Sequence, residues 1–262
     1  MNLPEIATRN EWLAARKALL AKEKELTRAR DALAADRRRL PMVRIDKEYV
    51  FQGPDGPATL HDLFDGRHQL IVDHAMWSFD VDEHGVETPR DVACPSCSGR
   101  LDNIGNLAHL RARDTNLVVV SRAPFAKIEP FRRRMAWTFP WYSSANSDFN
   151  HDFHATVDER VRPVLLNYRD VDELAAHGFE WTPARRGDYP GLSAFLRVGD
   201  DVFHTYSTFA RGTEQPGGTH YYLDLTALGR QEQWEQPPGR ATPAGSPAIR
   251  YHDGYEDQVS RH

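Results

Sequence analysis

Leu70-Ile71-Val72-Asp73 and Cys94-Pro95-Ser96-Cys97 are the two stretches that decide the fold of this 262-residue chain. The first is an apolar run bounded by turn-forming residues, which predicts a short strand buried on both faces. In the second, Pro95 suits the first position of a helix, because its missing N–H is one of the donors that a helix start leaves unpaired. The sequence therefore predicts a buried strand and, after an insertion, a helix that begins at a pair of cysteines.

Cys94 and Cys97 are the only cysteines in the chain. A helix start offers free N–H groups and the positive end of the helix dipole, which favour the thiolate form of a cysteine placed just before it. Because the thiolate is the nucleophile, we expect Cys94 to attack and Cys97, one turn further and more buried, to resolve the mixed disulfide. A lone Cys-x-x-Cys in a cytosolic protein is typical of redox or metal-binding sites rather than of structural disulfides.

Composition and charge exclude several classes of partner. The net charge of −5 provides no basic field for nucleic acid or a membrane surface. Met1–Glu5 lacks the basic and apolar segments of a signal peptide, and no run approaches the roughly 18 apolar residues of a spanning helix. The sequence thus predicts a cytoplasmic protein that has no nucleic-acid or membrane partner, and it gives no sign of a cofactor.

The N-terminal stretch predicts one long helix. Thr8 and Glu11 fit a capping box, and the residues after them are rich in Ala, Leu, Lys, Glu and Arg. A narrow apolar seam repeats every seven residues, at Trp12, Leu19, Leu26, Leu33 and Leu40. Two interpretations remain open: a helical arm that lies on its own domain, or the seam of a homodimer.

The rest of the chain alternates between strand and helix patterns, which indicates a parallel sheet with helices on its faces. The predicted elements are a hairpin around Gly53–Pro57, a helix with apolar positions from Leu101 to Leu110, a strand at Asn116–Ser121, a helix over Phe125–Met135, a short strand at Thr138–Ser143, a helix at Val171–Ala176, a hairpin from Leu192 to Tyr206 and a last helix at Leu223–Leu228.

Three segments follow from these patterns. We predict an N-terminal helical arm over residues 1–41, a central domain over residues 42–230, and a mostly irregular tail over residues 231–262, where Pro and Gly are frequent. Within the central domain, the acidic and polar stretch Ser78–Ala93 is interpreted as an inserted loop.

This order of elements resembles the thioredoxin fold. Ile71-Val72-Asp73 matches the end of the thioredoxin strand that precedes the redox motif, and Cys94-Pro95-Ser96-Cys97 matches the motif itself. The resemblance implies that Asp73 is a buried acid that helps to move the proton of the resolving cysteine, and burial would raise its pKa as that role requires. It also makes Pro190 the candidate for the cis-proline beside the disulfide, with an ordinary trans proline at a strand entrance as the alternative. The insertion between Asp73 and Cys94 departs from the thioredoxin pattern.

Nearly the whole chain is similar to a bacterial thioredoxin-like family catalogued as domain of unknown function 899, whose members are described as predicted dithiol-disulfide oxidoreductases. The matching strings are Cys94–Ser98, Val119–Pro124, Phe139–Trp141, Asp148–Asn150, His204–Ser207, Ala210–Gly212 and Leu223–Leu225. The resemblance implies a three-layer α/β/α sandwich with a helical arm and an irregular tail. It also implies thiol-disulfide exchange with a protein or small-molecule disulfide, together with a thiol electron donor that the sequence does not identify.

Two alternatives differ in chemistry. A thiol-dependent peroxidase of the peroxiredoxin type would carry Thr or Ser three residues before the reactive cysteine and Pro four residues earlier, whereas this chain has Asp91 and Glu87 there. A nearby acid would oppose thiolate formation. A zinc site would combine both cysteines with histidines. The histidines available are His84, His151, His154 and His204.

A further alternative is a non-enzymatic interaction protein that binds its partner through the helical arm. The string His204-Thr205-Tyr206, with Arg211 beyond it, also has two interpretations. These side chains could face the dithiol, or they could be cross-strand packing residues of the hairpin.

Overall fold

The computed structural model describes residues 5–215, 217–243, 252 and 255. Met1–Pro4, at which the sequence predicts no signal peptide, and most of the tail after residue 243 lie outside the described residues. The strands are β1 (Val43–Arg44), β2 (Val50–Gly53), β3 (Gly56–Thr59), β4 (Gln69–His74), β5 (Trp77–Val81), β6 (Glu87–Ala93), β7 (Thr115–Ser121), β8 (Trp141–Ser143), β9 (Thr156–Val157), β10 (Gly187–Asp188), β11 (Gly191–Val198) and β12 (Asp201–Phe209). The α-helices are α1 (Arg9–Arg37), α2 (Pro95–Leu101), α3 (Ala108–Arg111), α4 (Phe125–Arg134), α5 (Phe149–Asp152), α6 (Val171–Ala176) and α7 (Thr219–Leu223).

A mixed eight-stranded sheet forms the centre of the fold, in the order β1-β12-β11-β4-β7-β8-β2-β3. Strands β4, β7 and β8 are parallel, as the alternation of strand and helix predicts. The hairpin β11–β12 closes the sheet antiparallel to β4. Two smaller sheets, β5–β6 and β9–β10, lie outside it. The chain is therefore an α/β protein, as predicted.

Side chains of the central strands alternate between two covered faces, because successive residues of a strand point to opposite sides. On one face, Ile71 and Val119 pack beneath residues of α2, α3, α4 and α7. On the other, Leu70, Val72 and Val118 pack against Phe149 of α5 and a short 3₁₀ helix at Asp62–Phe64. Helices thus cover both sides of the sheet, which confirms the three-layer α/β/α arrangement.

The long N-terminal helix begins with the capping box that the sequence predicts. Thr8 Oγ1 accepts a hydrogen bond from the Glu11 N–H, and the Glu11 carboxylate accepts one from the Thr8 N–H. The last turns contact the body of the protein, through buried Ala34 and Ala35, a hydrogen bond from Arg30 to the Tyr221 hydroxyl and a cation–π contact of Arg37 with Tyr206. Exposed fractions of 49% to 51% are found for the seam residues Trp12, Leu19, Leu26, Leu33 and Leu40.

The arm therefore does not bury its seam on its own domain. The homodimer that the same seam suggests stays a prediction.

The first part of the tail packs against the domain although it contains neither helix nor strand between residues 231 and 243. Gln231 Nε2 donates to the Arg113 carbonyl at 2.7 Å, and Glu235 pairs with Arg38 at 3.0 Å. The tail thereby joins the end of the arm to the central domain. The boundaries at residues 41 and 230 stay a prediction.

Three predicted elements are wrong in detail. Ser78–Ala93 is not a loop: β5 and β6 form an antiparallel hairpin whose inner side chains, Trp77 and Ala93, are buried. The helix after Cys97 stops at Leu101 and resumes only at Ala108, because Asn103 and Gly105 interrupt it. The last helix lies at Thr219–Leu223, before most of the predicted range.

Among the described residues, the search for a helix with the length and apolar character needed to cross a membrane finds none.

Candidate functional site

Cys94 is the N-cap residue of α2, as the sequence predicts. Its backbone is extended (φ −63°, ψ 127°), Pro95 begins the helix, and the Ser98 N–H donates to the Cys94 carbonyl at 3.0 Å. The Cys94 side chain is half-buried and accepts no capping hydrogen bond from the first turn. The helix thus presents Cys94 as the more accessible of two free thiols.

Cys97 lies one turn further and is 2% exposed. The Met76 N–H donates to its sulfur at 3.4 Å. Burial raises the pKa of the Cys97 thiol to about 11, against the opposing effects of the nearby Arg100 guanidinium and the Met76 N–H. Cys97 is therefore protonated at neutral pH, which suits a cysteine that reacts second.

Arg100 links this thiol to Asp73 of the sheet. It is fully buried on β4 and points to the face that α2 covers, where Arg100 Nη2 lies 2.7 Å from Asp73 Oδ1 and 3.9 Å from Cys97 Sγ. Burial raises the pKa of Asp73 to about 6, and the attraction of Arg100 only partly offsets this effect. Within the described chain, Asp73 Oδ2 has no hydrogen-bond partner. Asp73 is thus a buried carboxyl that titrates near neutral pH beside a buried thiol.

A cavity of about 670 Å³ opens against the same group. Ser96, Cys97 and Arg100 of α2 line one side of it. Pro190 and the 3₁₀ helix at Ala210–Thr213 line the other. Gly212 allows this wall to lie against β12, since a Cβ there would collide with the Thr208 side chain. The volume falls within the range of about 300–1,000 Å³ that is usual for small-molecule sites.

Pro190 occupies the predicted place but not the predicted conformation. It immediately precedes β11 and lines the cavity beside Cys97. The only cis peptide bond among the described residues is Gln236–Pro237, so the cis assignment for Pro190 is wrong. The Tyr189 N–H donates to the Ala155 carbonyl at 2.7 Å, which extends the β9–β10 pairing up to Pro190. This pairing holds the chain extended as it enters β11, and a trans bond suits that path.

The acids before the dithiol are neutralised by ion pairs. Asp91 contacts Lys127 at 2.7 Å and Glu87 contacts Arg122 at 2.6 Å. Arg122 also binds Asp188 of β10 at 2.9 Å and lies 4.5 Å from the centre of the Phe79 ring. The Arg122 guanidinium therefore links the β5–β6 hairpin, which Cys94 follows directly, to β10, the strand that leads to Pro190.

The four histidines considered above as zinc ligands lie away from the dithiol. His84 is exposed in the turn of the β5–β6 hairpin, and His151 and His154 are in and after α5, on the opposite face of the sheet. His204 is held by core contacts, with its Nε2 2.7 Å from Ser207 Oγ and its ring packed on Phe153 and Phe195. Among the described residues, no group of three or more His, Cys, Asp or Glu side chains could hold a metal ion.

Each of the two interpretations of the string His204-Thr205-Tyr206 with Arg211 holds for some of its residues. His204 and Thr205 are packing residues, since Thr205 Oγ1 donates to the Ala194 carbonyl at 3.0 Å. Arg211 instead lines the cavity.

His74 was not singled out from the sequence, although it follows Asp73 directly. Its ring stacks on Phe149, and Nε2 lies 2.9 Å from Ser193 Oγ, which in turn lies 2.8 Å from Ser207 Oγ. Because strand residues alternate, His74 faces away from the cysteines. Burial lowers the pKa of His74 to about 3, so it is neutral at physiological pH.

Arg100 is the site residue that sequence reasoning missed. A signal was available, because positions three apart on a helix share a face and Arg100 lies three residues after Cys97. What the sequence could not supply is the ion pair with Asp73, which lies 27 residues earlier in the chain, before the β5–β6 hairpin.

The mixed sheet and a dithiol at a helix start define a thioredoxin-like α/β protein. The sequence profile of the family described as "Bacterial protein of unknown function (DUF899)" matches residues 1–255, so the chain belongs to that family. A comparison with curated protein sequences finds no match.

Solved structures with a similar fold are distant in sequence. The bacterioferritin comigratory protein of Xanthomonas campestris, whose alkyl peroxide reduction was studied in that structure, is 12% identical with a TM-score of 0.41, over 67% of this chain and 87% of that one. A mutant of Xylella fastidiosa PrxQ is 12% identical with a TM-score of 0.40, over 68% of this chain and 85% of that one.

Proposed function

We propose that the protein is a thiol-disulfide oxidoreductase that uses the Cys94–Cys97 dithiol. The observation that carries this proposal is the group formed by Cys97, Arg100 and Asp73 beneath an N-capping cysteine. It combines an accessible thiol, a buried thiol and a carboxyl whose pKa lies near neutrality.

The reaction proceeds in two exchange steps. The Cys94 thiolate attacks one sulfur of a substrate disulfide, so that a mixed disulfide forms and the other sulfur leaves as a thiolate. Cys97 then attacks the Cys94 sulfur, which forms the Cys94–Cys97 bond and releases the second half of the substrate. The protein loses two electrons and the substrate gains them. A thiol electron donor returns the protein to the dithiol.

Asp73 and Arg100 act in the second step. The Cys97 thiol must lose its proton before it attacks, and its raised pKa makes that loss unfavourable without help. We assign Asp73, which Arg100 links to this thiol, as the group that accepts the proton at neutral pH. The Arg100 guanidinium, 3.9 Å from the sulfur, stabilises the thiolate as it forms.

Trapping tests this proposal. In the Cys97→Ser variant the mixed disulfide on Cys94 has no resolving thiol, so we expect it to accumulate with a model disulfide and to be visible as an added half-substrate by intact mass spectrometry. Cys94→Ser, the matched control, should trap much less because Cys97 is buried. Equal trapping by both variants, or by neither, would contradict the assignment.

Alkylation of the reduced wild-type protein gives an independent prediction. Since the Cys97 thiol is 2% exposed and its pKa is raised to about 11, iodoacetamide at pH 8 should modify Cys94 well before Cys97. Peptide mass spectrometry over time measures the two rates. Modification of Cys97 first would reverse the assigned roles.

The rate of reaction with peroxide distinguishes a thiol-disulfide oxidoreductase from a thiol peroxidase. The reduced protein should react with alkyl peroxides more slowly than with disulfides, because Asp91 and Glu87 stand where a peroxidase of the peroxiredoxin type would carry Thr or Ser and Pro. Faster oxidation by peroxide would identify a thiol peroxidase instead.

The proposal also covers the partners and location of the protein. We propose that its substrate is a protein or small-molecule disulfide and that its electron donor is a thiol. We also propose that it is cytoplasmic and has no nucleic-acid or membrane partner.

A further inference from the structure

The cavity beside Cys97 has two features that bear on its substrate: how its border is paired and which charges line it. Both are independent of the redox roles assigned to the cysteines, although the inference drawn from them rests on the proposed function.

The extended backbone that borders the cavity is already paired. A protein substrate commonly docks as an added strand that hydrogen-bonds to a free sheet edge. Here β10 pairs with β9, with Asp188 opposite Thr156, and the Tyr189 N–H donates to the Ala155 carbonyl. Beyond Pro190, β11 lies between β4 and β12. The chain thus fills with its own strands the edge on which a peptide would pair, and the volume of the cavity suits a small molecule.

The cavity carries two cationic side chains and one acid. Arg100 lines it with a side chain that is only 10% exposed, and its Nη1 has no hydrogen-bond partner in the described chain. Arg211 stands at the rim with a side chain 92% exposed and only a long contact, 3.4 Å, to Glu214. The Arg100 charge is buried and the Arg211 charge is free to turn toward a ligand.

The exchange reaction itself changes the charge around Arg100. Proton transfer from Cys97 to Asp73 leaves the net charge unchanged, because the Cys97 thiolate replaces the Asp73 carboxylate as counter-ion. Once Cys97 has attacked and the charge has passed to the leaving sulfur, Arg100 has no counter-ion while Asp73 holds the proton, so a nearby anion would be held more strongly at that stage. A guanidinium fork binds a carboxylate through two parallel charge-assisted hydrogen bonds.

We propose that the cavity binds a small-molecule disulfide that carries a carboxylate, with Arg211 as the residue that contacts this carboxylate and Arg100 contributing its charge from below. Arg211 is a specificity residue and takes no part in the exchange steps.

Three aliphatic disulfides of similar size and different charge test the proposal: dithiodipropionate (anionic), hydroxyethyl disulfide (neutral) and cystamine (cationic). The pre-reduced full-length protein is mixed with each, and the appearance of the Cys94–Cys97 disulfide is followed by acid quench, alkylation and mass spectrometry. We expect the rates to fall in the order anionic, neutral, cationic. Insulin, as a protein disulfide, should react more slowly than the small molecules.

The variant Arg211→Glu should lower the rate with dithiodipropionate about tenfold, raise the rate with cystamine and leave hydroxyethyl disulfide unchanged. Arg39→Glu, an equal change of charge at a half-exposed residue of the arm, serves as control and should have little effect. Equal rates for the three charges, no effect of Arg211→Glu, or preference for insulin would overturn the inference while leaving thiol-disulfide exchange intact. If none of the disulfides oxidises the protein, the proposed function itself fails.

Discussion

Asp73→Asn is expected to stabilise the protein at neutral pH and, at the same time, to slow the closing of the Cys94–Cys97 disulfide. The Asp73 carboxylate is fully buried, and its pKa of about 6 shows that burial outweighs the attraction of Arg100. A shift of about two pKa units corresponds to about 3 kcal/mol. Asparagine removes this cost because it cannot ionise.

The sign of the pH dependence follows from the direction of that shift. Between pH 4 and 6 the unfolded protein has lost the Asp73 proton while the folded protein still holds it, so folding is weakened as the pH rises through this window. Relative to Asp73→Asn, the wild type should therefore lose about 2–3 kcal/mol between pH 4 and pH 7. Urea unfolding of both proteins at several pH values measures the difference. A wild type that gains stability over this range would mean that Arg100 holds Asp73 ionised.

The kinetic effect of Asp73→Asn is expected in the resolving step. Without a proton acceptor beside Cys97, closing of the disulfide should slow by about 10²-fold, the lower range for general base catalysis. Stopped-flow mixing with a model disulfide separates this step from the attack of Cys94, which should keep its rate. Asp91→Asn is the matched control, since Asp91 is exposed and paired with Lys127. An unchanged resolving rate in Asp73→Asn would remove the assigned role.

The free energy of unfolding should fall at low pH, because folding holds the buried His74 imidazole in its neutral form. Burial lowers the pKa of its imidazole to about 3, whereas an unfolded histidine titrates near 6.5. The stability that the neutral ring confers is present above pH 6.5 and is lost as the pH falls toward 3. Between pH 7 and pH 4 we expect this residue to cost about 3 kcal/mol.

The variant His74→Asn isolates this contribution. It should be less stable than the wild type at pH 7, because the ring that stacks on Phe149 is lost, and its stability should fall less steeply with acid. Burial also lowers the pKa values of His151, His154 and His204, so a residual acid dependence remains. His84→Asn, at an exposed turn, should follow the wild type. Parallel pH profiles for wild type and His74→Asn would contradict the assignment.

Local signals in the sequence are sufficient for the central strands and for the dithiol. The apolar runs at Leu70–Val72 and Leu117–Val120 identify β4 and β7, and Pro95 places Cys94 at a helix start. The resemblance to thioredoxins adds Asp73, which the structure connects to Cys97 through Arg100. These features depend on neighbours in the chain, which is why the sequence reveals them.

The errors arise where distant residues decide the structure. Ser78–Ala93 is too polar to indicate a sheet, because the hairpin buries few of its side chains and Arg122, distant in the chain, holds Glu87. Arg100 and Arg211 acquire their places through contacts made across the fold. The conformation of Pro190 depends on the β9–β10 pairing, which polar residues of a weakly patterned region form.

The guanidinium of Arg122 binds Glu87 of the β5–β6 hairpin and Asp188 of β10, at 2.6 and 2.9 Å. Since the same planar group holds both carboxylates, the hairpin and the strand cannot move apart without the loss of a charge-assisted hydrogen bond. The chain segments that lead to Cys94 and to Pro190 are therefore mechanically coupled, and we expect a displacement of one to be transmitted to the other.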